Sequence, residues 1–287
     1  MTTRHGVVDT AAGLVPFGHL GWGYRAKSDF LTGAAQYIAD GLAQHQWIQY
    51  VGPASAEALR AELDTLPVDT SEVTVTPATE FYGVDDLRDV VDPDTALDLR
   101  ADTLDAALAA GYSGVRIVAD PSAVNARPEQ RDAFARLEFL IDQRMADTPI
   151  TALCAYDISR LGDAAGELIC LHPIVSRQAP SFRVYAAQGA AFALGGDVDP
   201  ACAEAFATTL QRIWAVAGEQ SVIVDISGVT FISHRELLTI DDLARRDERQ
   251  VVMRGSSPIV SRLVPLLELT NVRLEGSPCG HRTVPER

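Results

Sequence analysis

A thiol and an imidazole are what a covalent thiol enzyme requires, and Cys154 and His172 supply such a pair as candidate nucleophile and base. Cys154, however, falls inside an apolar, strand-like run and not at a helix N-terminus, a setting that buries a thiol and raises its pKa. A second candidate is Gly21-Trp-Gly-Tyr-Arg-Ala-Lys27-Ser28, one residue short of the phosphate-loop motif because Ala26 stands where its second glycine would be. A phosphate cradle takes a glycine-rich loop of about seven residues whose N–H groups converge on the ligand. With residues 19–24 as a strand, only about four remain before the next helix. Tyr24, Asp120, Tyr156 and Asp157 each close a strand-like run, and His172 follows a short helix. Ligands collect at the carboxyl ends of parallel strands, so these five residues define a candidate small-molecule pocket. His19 opens its strand and is expected to face elsewhere.

The elements that must position these groups are legible in the hydropathy pattern. Residues 19–24, 47–51, 73–77, 115–119 and 150–156 read as strands. Between them, residues 29–43, 54–65, 93–110, 128–146 and 164–170 read as helices, with Ser28 as an N-cap of the first. Strands alternating with helices imply a parallel sheet covered on both faces. The polar, proline-terminated stretch 176–180 suggests a boundary, with one unit at 1–177 and another at 178–287. The second unit reads as strands 182–187 and 191–194, a helix 200–217, then strand 222–226, helix 235–246, strand 250–253, helix 258–267 and strand 272–274. That is a small α/β domain.

Composition narrows the function. The chain has 287 residues, 47% apolar and 22% charged, a balance that builds packed cores. Its formal charge is −15, and 11 Arg nearly balance 13 Asp and Glu from Gln178 onward, so the acidic excess lies in the first unit. Such a surface repels phosphate backbones and argues against direct nucleic-acid binding. No apolar run approaches membrane-spanning length and no secretory signal is visible, so a cytoplasmic protein is expected. Cys154, Cys170, Cys202 and Cys279 form no CxxC pair and lie at no zinc-finger spacing from a histidine, so neither a metal nor a cofactor is expected. Lys27 is the only lysine.

Two stretches resemble known families. Val222-Ile-Val-Asp-Ile-Ser-Gly-Val-Thr-Phe-Ile232, followed by a helix, and the upstream Leu194-Gly-Gly-Asp-Val-Asp199 resemble the STAS domain of anti-sigma-factor antagonists over roughly 182–276. The resemblance implies docking on an anti-sigma factor or related regulator. In that family a strand leads into Asp-Ser-Ser/Thr-Gly, whose hydroxyl is phosphorylated at a helix N-terminus. Here Ser233, His234, Arg235 and Glu236 stand there, with His234 at the phosphoserine position. Ser233 and Glu236 fit instead a capping box, in which each side chain serves the other's backbone N–H. Binding without a phosphorylation switch is expected.

The first unit resembles the MEDS family, the sensory domain of methanogen, methylotroph and dichloromethane-responsive regulators. The resemblance rests on His19-Leu-Gly-Trp-Gly-Tyr24, on Phe30-Leu31 leading to Gly41-Leu42, on Leu153-Cys-Ala-Tyr-Asp157 and on His172-Pro173. It spans roughly 18–176, with Glu138 where the family places an acid. It departs in the turn after the first helix, which holds Gln44-His45-Gln46 in place of Gly-Glu. The layout also resembles RecA-type nucleotide-binding cores, with 115–120 like a strand ending in a metal-binding Asp.

The expected fold is therefore α/β: an N-terminal RecA-like three-layer αβα domain with a mostly parallel sheet, then a small α/β STAS fold. The candidate ligand-binding residues are His19, Tyr24, Asp120, Glu138, Cys154, Tyr156, Asp157 and His172. The expected function is a non-enzymatic regulator sensing a small ligand or partner. A degenerate nucleotide-binding regulator without turnover and a thiol enzyme are the alternatives.

Overall fold

The computed structural model describes residues 5–14, 18–84, 89–218 and 221–276, so Cys279 lies outside the described residues. The first half alternates as the hydropathy predicts. β1 (Gly6–Val8) and β2 (His19–Tyr24) lead into α1 (Lys27–Ala43), β3 (Trp47–Gly52), α2 (Ala56–Leu63), β4 (Thr74–Pro77) and a single turn, α3 (Ala78–Phe81). Then come α4 (Pro93–Ala109), β5 (Val115–Ala119), α5 (Pro128–Met145), β6 (Ile150–Asp157), the short α6 (Ile158–Leu161) and α7 (Ala164–Ile169), and β7 (Ile174–Ser176). These strands form one seven-stranded sheet in the order β1-β7-β2-β6-β5-β3-β4, with every pairing parallel.

Helices cover both faces. Phe30, Ala34, Tyr37 and Ile38 of α1 and Leu59 and Leu63 of α2 pack with Leu20, Tyr50, Val118 and Leu153 on one face. On the other, α4, α5 and α7 bury Leu104, Phe134, Leu137 and Leu168 against Ile117, Ala152 and Cys154. The first helix begins at Lys27, with Ala26 and not Ser28 at its N-cap. The reason is local: the Asp29 N–H already reaches the Ala26 carbonyl, which draws Ser28 into the first turn.

Arg116 of β5 lies fully buried on the α1 face. Its guanidinium donates to Gln46 Oε1 at 2.6 Å, the Tyr37 carbonyl at 3.3 Å and the Leu14 carbonyl at 3.1 Å, and it lies over the Tyr37 ring at 4.3 Å. Gly41 makes room for its stem, because a Cβ there would stand 2.5 Å from Arg116 Cδ. Alanine is the better helix former by about 1 kcal/mol. Gly41→Ala is nevertheless expected to destabilise the protein by about 1–2 kcal/mol, because the crowded core must shift. A lowered urea midpoint with an unchanged slope checks it.

The second sheet runs β12-β11-β10-β9-β8. It comprises β8 (Phe182–Tyr185), β9 (Phe192–Val198), β10 (Ser221–Ile232), β11 (Gln250–Arg254) and β12 (Val272–Leu274), with α8 (Ala203–Ile213), α9 (His234–Arg246) and α10 (Pro258–Leu266) between them. Only β8 is antiparallel to its neighbour. The single helix expected over 200–217 is instead α8 between two 3-10 turns, Pro200–Cys202 and Trp214–Val216. Asp199 caps the first turn by accepting the Ala201 and Cys202 N–H groups.

The chain passes from one sheet to the other between Ser176 and Phe182. The apolar core does not divide there. Leu168 and Ile169 of α7 share one cluster with Phe206, Leu210 and Ile213 of α8. Arg212, 7% exposed, pairs with Asp132 at 2.7 Å and Glu167 at 2.6 Å, and the Val184 N–H donates to the Cys170 carbonyl at 2.7 Å.

Candidate functional site

Strand alternation decides which candidates meet. Along β2, His19, Gly21 and Gly23 face α5 and α7; Leu20, Trp22 and Tyr24 face α1. Along β6, Cys154 and Tyr156 share the His19 side, whereas Leu153 and Ala155 do not. The proposed five-residue pocket at the strand ends therefore separates into two groups.

In one group the Tyr24 hydroxyl donates to Asp120 Oδ2 at 2.5 Å, while Asp120 Oδ1 accepts the Ser122 N–H. Burial, then the Asp120 charge, pushes the Tyr24 hydroxyl far above its ordinary pKa, so it remains a donor. Asp157 caps α6, accepting the Ser159 and Arg160 N–H groups. Lys27 pairs with Glu62 at 3.1 Å and lies over the Phe30 ring. Only Arg25 and Ala26 separate β2 from α1. That leaves no room for a loop to wrap a phosphate.

The second group is His19, Glu138, Cys154, Tyr156 and His172, all nine-tenths or more buried. His19, expected to face elsewhere, is at its centre. His19 Nε2 is 3.2 Å from Glu138 Oε2 and 3.6 Å from Cys154 Sγ, and His172 Nε2 is 3.5 Å from Glu138 Oε2. The Tyr156 hydroxyl donates to Glu138 Oε1 at 2.6 Å. The two imidazoles lie 4.1 Å apart at a tilt of 48°. Gly21 seats the His172 ring, since a Cβ there would stand 2.8 Å from Nδ1.

Burial and neighbours set the charges. Burial opposes a charged His19, but Asp142, Cys154 and Glu138 together raise it well above the ordinary imidazole value. Burial and the nearby His19 push His172 down to about 3. Burial also acts to raise the Glu138 carboxyl, yet the imidazoles and the Tyr156 hydroxyl hold it down at about 2. Burial and the Glu138 charge lift the Cys154 thiol to about 11. A thiol so raised is a poor nucleophile.

Above this cluster is a cavity of about 180 Å³ between α4, α5 and strands β5 and β6. It lies on the sheet face and not beyond the strands' carboxyl ends. The small side chains of Ala101, Ala119 and Ala152 leave this space, and Glu138 and Cys154 form its floor. Phe81, Tyr82, Leu97 and Leu104 wall it, and the exposed Asp105 and Arg144 mark its mouth. Arg100 contributes a buried cation, stacked 3.5 Å over the Phe81 ring and donating to the Phe81 carbonyl. Burial lowers that guanidinium to about 10.

Asp142 is a residue that sequence reasoning missed. Its Oδ1 holds His19 Nδ1 at 3.2 Å, and its Oδ2 accepts the Ala186 N–H, just past β8, at 2.6 Å. The available signal was its place four residues after Glu138, on the same helix face. Arg100 carried no comparable signal.

On the second sheet, Ser233 is the N-cap of α9 and accepts the Arg235 N–H at 3.3 Å. Its hydroxyl donates to the Glu236 carboxylate, and both residues are buried. The reciprocal capping box does not form, because the Ser233 N–H already donates to the Val198 carbonyl of β9. His234 and Arg235 are exposed, flanked by exposed Phe231 and Leu238.

No curated protein significantly matches the chain. Among the described residues, no helix is long and apolar enough to cross a membrane. Residues 18–173 match the family described as MEDS, the methanogen/methylotroph, DcmR sensory domain, and so take in both residue groups on the first sheet and the cavity above Glu138. With more than half its length matched, the chain belongs to the MEDS family of sensory domains.

Proposed function

We propose that this protein is a non-enzymatic signalling regulator. Its first unit takes a small, mostly apolar ligand into the cavity above Glu138, and its second docks another regulator through the start of α9. The observation that carries the reading is the cavity's build: apolar walls, a polar floor, and a hydrogen-bonded route from that floor through His19 and Asp142 to the second sheet. A dry apolar cavity of about 150 Å³ accommodates benzene. The 180 Å³ here suits a molecule of that size or slightly larger, with a polar group for Arg100 or Glu138.

The second unit's strand order and its run from Val222 to Ile232 support a STAS-like docking role akin to that of anti-sigma-factor antagonists. Phe231 and Leu238 beside His234 and Arg235 offer an apolar contact rimmed with charge. The buried, doubly bonded Ser233 hydroxyl supports binding without phosphorylation.

Calorimetry with toluene, phenol and benzoate tests the pocket. At least one is expected to bind the wild type, and Ala152→Leu, which fills the cavity, to weaken it at least about tenfold. Binding left intact in Ala152→Leu would place the ligand elsewhere. For docking, Phe231→Asp is expected to abolish capture of a kinase-like anti-sigma factor by the intact chain. Radiolabel from ATP on Ser233 or His234 would refute the phosphorylation-free reading.

A further inference from the structure

The buried cluster has a feature that ligand sensing does not explain. His19 from β2, Glu138 from α5, Cys154 from β6 and His172 from the segment after α7 each present one donor atom, and all four atoms lie within 4.8 Å of one another. Separations of 3.2, 3.5, 3.6 and 3.8 Å join Glu138 Oε2 to His19 Nε2, His172 Nε2 to Glu138 Oε2, Cys154 Sγ to His19 Nε2, and Cys154 Sγ to Glu138 Oε2. Zinc bonds of about 2.0–2.1 Å to nitrogen or oxygen and about 2.3 Å to sulfur give tetrahedral edges of about 3.3–3.7 Å. Four of the six donor pairs already stand near those edges, and the other two lie within 4.8 Å.

Lone pairs also converge. His172 Nδ1 lies 3.1 Å from the Ile169 carbonyl, which only accepts, so the neutral ring carries its proton there. Its Nε2 lone pair is then aimed into the cluster, fully buried and without a hydrogen-bond partner. It faces the Glu138 carboxylate, another acceptor. Two facing acceptors away from water favour a cation between them.

Each donor side chain except Cys154 is held from behind: His19 by Asp142, Glu138 by the Tyr156 hydroxyl and His172 by the Ile169 carbonyl. That arrangement fixes ring and carboxylate orientation in metal centres. A divalent ion with one thiolate and one carboxylate sums to zero charge, which suits a buried position. Thiolate and imidazole donors favour zinc-type ions over magnesium or calcium.

We propose that His19, Glu138, Cys154 and His172 form a four-coordinate site for a zinc-type divalent ion at the floor of the cavity. Coordination converts the Cys154 thiol to thiolate and displaces the proton that His19 Nε2 directs at Glu138, so both protons leave to solvent. The site stands whether or not the cavity takes an organic ligand.

The test uses the full chain, grown in zinc-supplemented medium and desalted, with metal content read by mass spectrometry. One zinc per chain is expected. The cobalt(II)-exchanged protein is expected to show thiolate-to-cobalt charge transfer and tetrahedral d–d bands. Cys154→Ser, a near-isosteric change whose fold circular dichroism verifies, should lose the charge-transfer band, and Cys202→Ser should keep it. Asp142→Asn, which removes no donor, should weaken zinc binding roughly 10–100-fold. Wild-type protein that retains no zinc and develops no cobalt bands would overturn the proposal, as would charge transfer surviving Cys154→Ser. Zinc retained by protein that ignores toluene, phenol and benzoate would instead sink the organic-ligand reading alone.

Discussion

Arg116→Met is expected to lower the stability of the full chain by about 3 kcal/mol, because buried acceptors lose a donor fork that nothing else in the core replaces. Gln46 Oε1 and the Leu14 and Tyr37 carbonyls all point at one guanidinium, in a place that water does not reach. Methionine restores most of the volume and none of the bonds. Arg116→Lys is expected to recover only part of the loss, since the three donors of an ammonium radiate from one nitrogen and cannot reach acceptors spread around the three nitrogens of a guanidinium. Urea unfolding measures both. A shift for Arg116→Met below about 0.5 kcal/mol, the range of ordinary surface changes, would show that the acceptors find other partners.

The intact chain is expected to unfold in one cooperative transition, and residues 178–287 expressed alone to show no cooperative unfolding at all. Cutting the chain there exposes the faces of Leu210 and Ile213 that pack with Leu168 and Ile169. It also removes Asp132 and Glu167 from Arg212 and Asp142 from the Ala186 N–H. A small domain has little stability to lose, and removing one wall of its core takes most of it. Fluorescence and circular dichroism should give coincident curves for the full chain. A fragment that unfolds sharply at the full chain's urea midpoint would mean that the shared core contributes nothing.

Much of the architecture was legible in the sequence where periodicity and punctuation agree. The strands His19–Tyr24, Val115–Ala119 and Val272–Leu274 fall on the residues that the hydropathy pattern marks. β1 and β7 carry no mark in that pattern and are placed by pairing: Ile174 and Val175 lie beside Leu20 and Gly21 of β2, and Gly6–Val8 then adds to Ile174–Ser176 at the sheet edge. The strand read as 222–226 extends to Ile232, since register shifts opposite β9 after Asp225 and after Val229 let pairing resume at Gly228 and at Phe231.

The site was less legible. Family resemblance supplied Glu138, and spacing supplied Tyr156 and His172, but which residues meet depends on register. Gly21 pairs with Cys154, which puts His19 and Cys154 on one face and sends Tyr24 and Asp157 to the other. A one-residue slip would reverse that. The convergence of four donors from four elements follows from that register and from the rotation of α5, neither of which a linear pattern encodes.

A carboxylate is a rigid plane that turns about a single bond, and in Asp142 the two oxygens answer to different sheets. Any swing that follows the His19 ring must tug on the amide beyond β8, as the far end of a seesaw moves with the near one. Sliding or hinging of one sheet against the other would have to open the apolar cluster that they share, whereas turning this carboxylate would leave it closed.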